Sequence, residues 1–319
     1  MGCGTERGRL KIIIFGGAGF LGSSIAKRLL EKNNEIIVFD LKSPKSDLMR
    51  KKGIQVIEGD LLKIDDAKIS FEGVDFVIHM ASVTSPSESM ENPEKDKMNL
   101  TISQRIFDKA IAAGVKRILY PSSGGTIYGM PEKLPVDETQ PPNPIIPYAA
   151  TKVKIERKLM EMCEDSGTIP LVFRYGNPYG PNQHPAHGTG VITAWLERIR
   201  DEKPIDLYGG GEAARDYIFV QDATDACLMA SSSARAEGIY NIGSGVPTTL
   251  SEIIETMKKV TERKIEINFF SLRPNDKVSR ISLDIRKSKR DFGWKPKISL
   301  EKGVEATWRW VMDGEPFVI

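Results

Sequence analysis

Short apolar runs alternate with amphipathic segments along the first half of the chain. Six runs have the length of buried strands: 11–15, 35–39, 54–58, 74–79, 116–120 and 169–174. Between them apolar residues recur every three or four positions, most clearly over 95–113 and 147–165, which predicts helices. Because alternating strands and helices build a parallel sheet covered on both faces, we predict a doubly wound α/β domain over 11–176.

The second half has a different texture. Residues 177–190 are rich in Gly, Pro, Asn and His, which is typical of a functional loop. After it we predict shorter elements, namely helices at 191–201, 222–232, 250–260 and 300–311 and strands at 205–207, 216–219, 238–241 and 265–269. We therefore expect 177–319 to form mainly a smaller α/β substrate lobe, from which some segments can return to the main sheet. Residues 1–10 are expected to be a disordered tail.

A glycine-rich turn joins the first predicted strand to the first predicted helix. Gly16, Gly19 and Gly22 are spaced three apart in the segment KIIIFGGAGFLG. In such a turn the first glycine permits the tight bend, the second lets the backbone approach a pyrophosphate, and the third allows close packing of helix on strand. The free N–H groups of the helix N-terminus attract phosphate. This context predicts a Rossmann-type dinucleotide site.

Asp40 ends the second apolar run, 18 residues after Gly22. An acidic residue at about this distance accepts hydrogen bonds from the adenosine ribose hydroxyls, and its charge repels a 2′-phosphate. We therefore expect NAD rather than NADP, although Lys42 opposes this preference slightly.

Tyr148 and Lys152 are four residues apart in the predicted helix 147–165, so they share one face. An ammonium beside a phenol favours the phenolate, as would an oxidised nicotinamide ring, so we expect a lowered pKa for Tyr148. Tyr148 can then take the proton of a substrate hydroxyl while hydride leaves the same carbon. Hydroxyls in the segment YPSSGGTIYG, 120–129, are expected to polarise the reacting oxygen.

Composition narrows the classes of partner. The 319 residues carry a net charge of +2 with scattered Lys and Arg, so we expect no nucleic-acid partner. No apolar run is long enough to predict a membrane span. Three cysteines without metal-ligand spacing suit a reducing cytoplasm. His184 and His187 have no third ligand near them in sequence, so we expect no metal.

Several motifs occur together and in order. They are GGAGFLG at 16–22, GDL at 59–61, HMAS at 79–82, SSGGTIYG at 122–129, YAATK at 148–152, RYGNPYGP at 174–181, RDYIFVQD at 215–222 and RPND at 273–276. With these motifs the chain resembles the extended short-chain dehydrogenase/reductase family, and within it the nucleotide-sugar epimerase/dehydratase group. The resemblance covers nearly the whole chain.

The resemblance implies roles for individual residues. The implied NAD contacts are Gly16, Gly19, Phe20, Leu21, Asp40, Asp60, Leu61, Met80, Ala81, Ser82, Asn99, Ser122, Tyr148 and Lys152. The implied contacts to the nucleotide-sugar substrate are Thr84, Asn177, Arg215, Arg273 and Asp276. The two arginines suit a diphosphate, because a guanidinium group binds phosphate oxygens in two-point fashion. The resemblance also implies a homodimer.

The chain departs from the family pattern at Gly124, where the family usually has a catalytic Ser or Thr. We expect Ser123 and Thr126 jointly to supply the missing hydroxyl. Gly125 and Thr126 also stand where sugar dehydratases and decarboxylases carry an acidic residue, which disfavours elimination chemistry.

The sequence thus predicts an NAD-dependent nucleoside-diphosphate-sugar 4-epimerase of the UDP-glucose/UDP-galactose type, acting through a 4-keto intermediate with Tyr148 and Lys152 as the catalytic pair. Two alternatives stay open. One is an NAD(P)H-dependent 4-keto-sugar nucleotide reductase. The other is a non-catalytic dinucleotide-sensing module.

Overall fold

The computed structural model describes residues 9–65, 69–184, 190–272 and 279–314, and its largest element is a seven-stranded parallel sheet. The strands are β1 (Lys11–Phe15), β2 (Glu35–Asp40), β3 (Gln55–Glu58), β4 (Phe76–His79), β5 (Arg117–Ser123), β6 (Ile169–Tyr175) and β10 (Gly238–Ile242). Their order is β10-β6-β5-β4-β1-β2-β3. The direction of winding reverses between β1 and β4, which is where doubly wound sheets bind ligands. The first eight residues of the predicted tail lie outside the described ranges.

Ten helices occur in the described ranges. They are α1 (Phe20–Leu30), α2 (Pro44–Lys51), α3 (Pro86–Glu91), α4 (Pro93–Ala112), α5 (Pro147–Cys163), α6 (Val191–Arg200), α7 (Val220–Ser231), α8 (Leu250–Thr261), α9 (Arg286–Phe292) and α10 (Leu300–Asp313). None of them combines the length and the apolarity that crossing a lipid bilayer requires. Short 3₁₀ turns cover 61–63 and 209–211.

The main sheet is buried on both faces because successive side chains of a strand point to opposite sides. In β1, Ile12 and Ile14 pack into a core with side chains of α1 and α7, whereas Ile13 and Phe15 pack into a second core with side chains of α4 and α5. This two-sided burial explains why the strands are continuous apolar runs rather than alternating ones.

The remaining strands form a smaller lobe with its own core. A three-stranded sheet contains β7 (Asn177–Tyr179), β9 (Ala214–Phe219) and β11 (Pro247–Thr249), and a parallel pair contains β8 (Ile205–Tyr208) and β12 (Ile267–Phe270). Side chains of α6, α8 and α10 pack in this third core. By contrast, β10 returns to the main sheet and pairs with β6. The sequence beyond Asn177 therefore contributes to the main sheet as well as to the smaller lobe.

The predicted strands of the main sheet all occur, with ends shifted by a few residues. The largest difference is in β5, which continues through Pro121 to Ser123 rather than ending at 120. Beyond Leu119 this strand pairs with β6 alone, and a proline is tolerated where one neighbour is missing. Five short elements were not predicted, namely α2, α3, α9, β7 and β11, because three to eight residues give too little periodicity.

Candidate functional site

The glycine turn after β1 is a cradle that the backbone itself requires. Gly16 has φ = 76°, and a Cβ atom there would stand 2.5 Å from the backbone nitrogen of Ala81. A Cβ atom on Gly22 would clash with the carbonyl oxygen of Gly16, so helix and turn pack as predicted. The glycine spacing did not single out Gly17, but a side chain there would also clash, since a Cβ atom would stand 2.6 Å from the side chain of Val38.

Gly19 differs from its neighbours because the chain leaves room beside it. The nearest atom to a Cβ there is the carbonyl oxygen of Gly16 at 3.3 Å, and its φ of −65° is open to any residue. Gly19 stands just before α1, where free N–H groups favour phosphate. A side chain at this position would therefore meet less of the protein than one at Gly16, Gly17 or Gly22.

A cleft of about 480 Å³ opens between the glycine turn and the carboxyl ends of the neighbouring strands. Nine of the predicted dinucleotide contacts line it, together with Ala18. The nine are Gly16, Gly19, Asp40, Asp60, Leu61, Met80, Ala81, Ser82 and Asn99. The topology of the sheet thus brings together residues that are far apart in sequence.

Asp40 is half-buried at the floor of this cleft. One carboxylate oxygen accepts a hydrogen bond from the N–H of Ala18 (2.7 Å), and the other accepts one from Leu41 (2.8 Å). Burial raises the pKa of Asp40, while these two bonds oppose the rise. Asp40 therefore fixes the glycine turn, and its oxygens keep further lone pairs for ribose hydroxyls. Asp60 caps the following 3₁₀ turn through the N–H of Leu62 (2.9 Å).

Asn99 of α4 holds the segment that follows β4. Its side-chain oxygen accepts a hydrogen bond from the N–H of Val83 (2.8 Å), and its amide donates to Oγ1 of Thr84 (2.9 Å). Thr84 in turn donates to Asp96 at 2.5 Å and is only 5% exposed. The hydroxyl of Thr84, expected to contact substrate, is thus engaged within the chain.

The end of β5 presents two buried hydroxyls that lack partners in the described part of the chain. They are Oγ of Ser122 and Oγ1 of Thr126. Ser123 is half-buried between them. Gly124 has no room for a side chain, since a Cβ atom would stand 2.6 Å from Leu283 and 3.0 Å from the carbonyl oxygen of Arg174. Leu283 therefore packs beside the position at which the family usually has a catalytic Ser or Thr.

Tyr148 and Lys152 come together on one face of α5, as predicted. The Nζ atom of Lys152 lies 5.5 Å from the ring centroid of Tyr148 and 4.7 Å from that of Tyr120. It donates a hydrogen bond to the carbonyl oxygen of Pro121 (2.7 Å). Lys152 is 8% exposed, so its ammonium is held at the end of β5 beside the cleft.

The chain's own residues do not lower the pKa of Tyr148, which differs from the sequence-based expectation. Burial, assisted by the charge of Asp96, raises that pKa to about 12, and burial lowers the pKa of Lys152 to about 8. The reason is that removing both groups from water disfavours both charged forms. Positive charge from an oxidised nicotinamide, the second source named above, is what remains to favour the phenolate.

The predicted diphosphate contacts are only partly described. Asn177 on β7 and Arg215 on β9 lie on paired strands, with Asn177 opposite Tyr217. Arg215 is half-buried, donates to the carbonyl oxygens of Ala214 and Ser279, and forms no ion pair with a carboxylate of the described ranges. Burial lowers its pKa. Its remaining N–H groups suit an anionic ligand. Arg273 and Asp276 lie outside the described residues.

The histidines expected to bind no metal are only partly described. His184 packs against Trp310 with ring centroids 5.5 Å apart, and His187 lies outside the described residues. Within the described ranges no three His, Cys, Asp or Glu side chains are grouped as metal ligands.

These features fit a dinucleotide on structural grounds. Gly19 stands at the N-terminus of α1, and Ser122 stands near the end of β5. The Oγ atom of Ser122 has no partner among the described residues. Both positions lie at the edge of the sheet where its strands end. Gly16, Gly19 and the N-terminus of α1 would hold the pyrophosphate, Asp40 the adenosine ribose, and Lys152 with Ser122 the nicotinamide end.

Similar proteins share this architecture over nearly their full length. The curated "Putative UDP-glucose 4-epimerase" of Methanocaldococcus jannaschii is 34% identical over 304 residues, covering 94% of this chain and 98% of that protein. A "dTDP-4-dehydro-6-deoxyglucose reductase" of Escherichia coli is 31% identical, covering 92% and 95% respectively. The solved UDP-glucose 4-epimerase of Thermotoga maritima, with UDP-glucose, has a TM-score of 0.86 at 31% identity and covers 96% and 99% of the two chains.

A second solved structure, the UDP-glucose 4-epimerase of Thermus thermophilus in complex with NAD, has a TM-score of 0.83 at 30% identity and covers 95% and 99% of the chains. The profile of one protein family matches residues 12–243, which is well over half of the sequence and includes the glycine turn, Tyr148, Lys152 and Arg215. The chain belongs to the NAD dependent epimerase/dehydratase family.

Proposed function

We propose that this protein is a nucleoside-diphosphate-sugar 4-epimerase that uses NAD and acts on UDP-sugars of the glucose/galactose type. One observation carries the proposal: the buried pair Tyr148 and Lys152 stands at the same sheet edge as the dinucleotide cleft. The names of similar proteins, among them UDP-glucose 4-epimerases 34% and 31% identical to this chain, support it.

The mechanism assigns each residue one task. NAD⁺, when bound, supplies a reversible hydride acceptor for the sugar carbon. Tyr148 takes the proton of the C4 hydroxyl and returns it to the same oxygen once the 4-keto sugar has turned its other face. Lys152 holds its ammonium beside the ring of Tyr148, and the positive charge of bound NAD⁺ would favour the phenolate. Arg215 and Asn177 hold the diphosphate, so the sugar itself stays free to turn, and Thr126 with Ser123 hydrogen-bonds the reacting oxygen.

The decisive experiment replaces Tyr148 by Phe and measures interconversion of UDP-glucose and UDP-galactose. We expect the rate to fall by about 10²–10⁴, the usual contribution of a positioned acid–base group, with NAD binding retained. Tyr240→Phe is the matched control, because that hydroxyl bonds Asp291 and the backbone near Arg235, away from the cleft, and should leave the rate unchanged.

A Tyr148→Phe variant that keeps more than about a tenth of the normal rate would eliminate the mechanism. Loss of activity in Tyr240→Phe as well would point instead to a general loss of folding.

A 4-keto-sugar nucleotide reductase is the second candidate, since a relative 31% identical carries such a name. A reductase consumes its reduced cofactor stoichiometrically, whereas an epimerase regenerates it. Turnover by purified protein without added cofactor therefore supports the epimerase, and strict dependence on added NAD(P)H supports the reductase. The intact Tyr148–Lys152 pair disfavours a non-catalytic sensing module.

The sugar and nucleotide are best found by a thermal-shift screen with UDP-, GDP- and dTDP-sugars, in which a UDP-sugar is expected to stabilise the protein most.

We also propose a homodimer and a cytoplasmic location. The thiols of Cys163 and Cys227 are free and buried, which suits a reducing compartment. Sedimentation at micromolar concentration tests the dimer, and a monomer there would contradict it.

A further inference from the structure

Asp96 is a buried carboxylate beside the reactive pair that no motif singled out. It lies in the first turn of α4 and is 1% exposed. Its Oδ1 atom accepts hydrogen bonds from Oγ1 of Thr84 (2.5 Å) and from the amide of Asn99 (3.2 Å). Its Oδ2 atom is buried and has no partner in the described part of the chain. A buried oxygen without a partner is costly, so its retention needs an explanation.

Asp96 lines a small cavity of about 10 Å³ together with Tyr148, Lys152, Tyr120 and Asn99. Among the described residues, Asp96 forms no ion pair with Lys152, whose Nζ atom donates to the carbonyl oxygen of Pro121 instead. The carboxylate therefore acts on Lys152 across a buried space, where charge interactions are screened less than in water.

We propose that Asp96 is a positioning residue of this site: its carboxylate fixes Thr84 and Asn99 beside the cleft and is a second counter-charge, besides Glu156, for Lys152 next to Tyr148. This assignment rests on the proposed function, because it concerns the charge on the lysine of the reactive pair.

Two carboxylates raise the pKa of Lys152, Glu156 more strongly and Asp96 less strongly. Glu156 is paired with Arg174 at 2.7 Å, and both side chains are 3% exposed, whereas Oδ2 of Asp96 has no partner among the described residues. His79 on β4 is buried with a pKa of about 3 and is neutral. Burial raises the pKa of Tyr120 on β5. Glu88 on the neighbouring α3 accepts the N–H of Ser85 at its own helix N-terminus.

Removal of the negative charge of Asp96 should lower the pKa of Lys152. Asp96 raises the pKa of both Lys152 and Tyr148, against the downward effect of burial on Lys152. An uncharged residue at position 96 should therefore lower the pKa of Lys152 below about 8. A larger fraction of the lysine would then be deprotonated at neutral pH.

The test is a direct titration of Lys152 in the full chain without cofactor or substrate. The ¹³Cε signal of Lys152, assigned by its loss in Lys152→Met, is followed against pH by NMR. In Asp96→Asn, an isostere whose oxygen can still accept from Thr84, we expect the pKa of Lys152 to fall by about one unit or more. Asp108→Asn, an exposed position on the same helix, is the matched control and should leave the pKa unchanged.

An unchanged pKa of Lys152 in a folded Asp96→Asn protein overturns the proposal, and an equal fall in Asp108→Asn does so too. Asp96→Ser replaces Asp96→Asn if the latter does not fold. Because this titration needs no turnover, it also stands apart from the function: a shifted pKa in a protein without epimerase activity would sustain the role of Asp96 and refute the epimerase.

Discussion

Lys152 donates a 2.7 Å hydrogen bond from Nζ to the carbonyl oxygen of Pro121, and so ties α5 to the end of β5. This contact is available because β5 runs past β4 and carries its last carbonyl groups to the edge of the sheet. It orients the ammonium beside the rings of Tyr120 and Tyr148. The reactive pair is therefore positioned by the sheet as well as by its own helix.

The pKa of about 8 for Lys152 predicts opposite pH dependences for activity and stability. Activity should fall as pH rises through about 8, because the ammonium is lost. The free energy of unfolding should rise between about 8 and 10.5, where the unfolded chain binds more protons than the folded one. Rate profiles and urea titrations test this, and Lys152→Met should abolish both effects. Identical profiles in that variant would contradict the assignment.

Gly19→Ala should separate ligand binding from folding. Because φ at Gly19 is −65° and the new methyl group would meet only the carbonyl oxygen of Gly16, at 3.3 Å, we expect a small change in the melting temperature. We expect NAD affinity, measured by calorimetry, to fall at least about tenfold, since the methyl group occupies the approach of the pyrophosphate.

Gly22→Ala is the matched comparison, since its methyl group would clash with the backbone of Gly16 and destabilise the protein itself. Normal NAD affinity in Gly19→Ala would show that the pyrophosphate binds elsewhere.

Glu156→Ala should destabilise the fold strongly. It leaves the guanidinium of Arg174 buried without its carboxylate, which typically costs about 3–5 kcal/mol in the free energy of unfolding. Glu161→Ala on the same helix removes only a solvent-exposed pair with Lys158 and should cost less than about 1 kcal/mol. Urea denaturation compares the two variants, and equal costs would mean that the buried pair has no special weight.

His79 should contribute to acid sensitivity. Burial lowers its pKa from 6.5 to about 3, so between these values the unfolded chain binds the extra proton and stability falls as pH falls. The contribution is on the order of 1 kcal/mol per pH unit across that window. His79→Gln can retain a bond to Ser103 and cannot titrate there. The free energy of unfolding of His79→Gln should fall less between pH 6.5 and pH 5 than that of the parent protein. An equal fall in the two proteins would show that His79 does not contribute to acid sensitivity.

The alternating strands and helices, the glycine turn and the pairing of Tyr148 with Lys152 could all be predicted from the amino-acid sequence. These are local patterns: continuous apolar runs mark strands buried on two faces, glycine spacing marks a tight strand-to-helix turn, and a four-residue spacing on a helix fixes a common face. The spacing after the glycine turn predicted the role of Asp40, and the family resemblance implied roles for Asn99 and Arg215. Five short elements could not be predicted, because they contain too few residues for a periodic pattern. They are α2, α3, α9, β7 and β11.

The packing around the site and the charges that act on Tyr148 and Lys152 could not be predicted without the folded structure. Leu283 occupies the space beside Gly124 from a distant segment, Pro121 receives the ammonium of Lys152, and Asp96 faces the same small cavity. The rise in the pKa of Tyr148 also depends on its burial, which its sequence neighbours do not specify. Desolvation and charge act through space between residues far apart in sequence, so they appear only once the chain is folded.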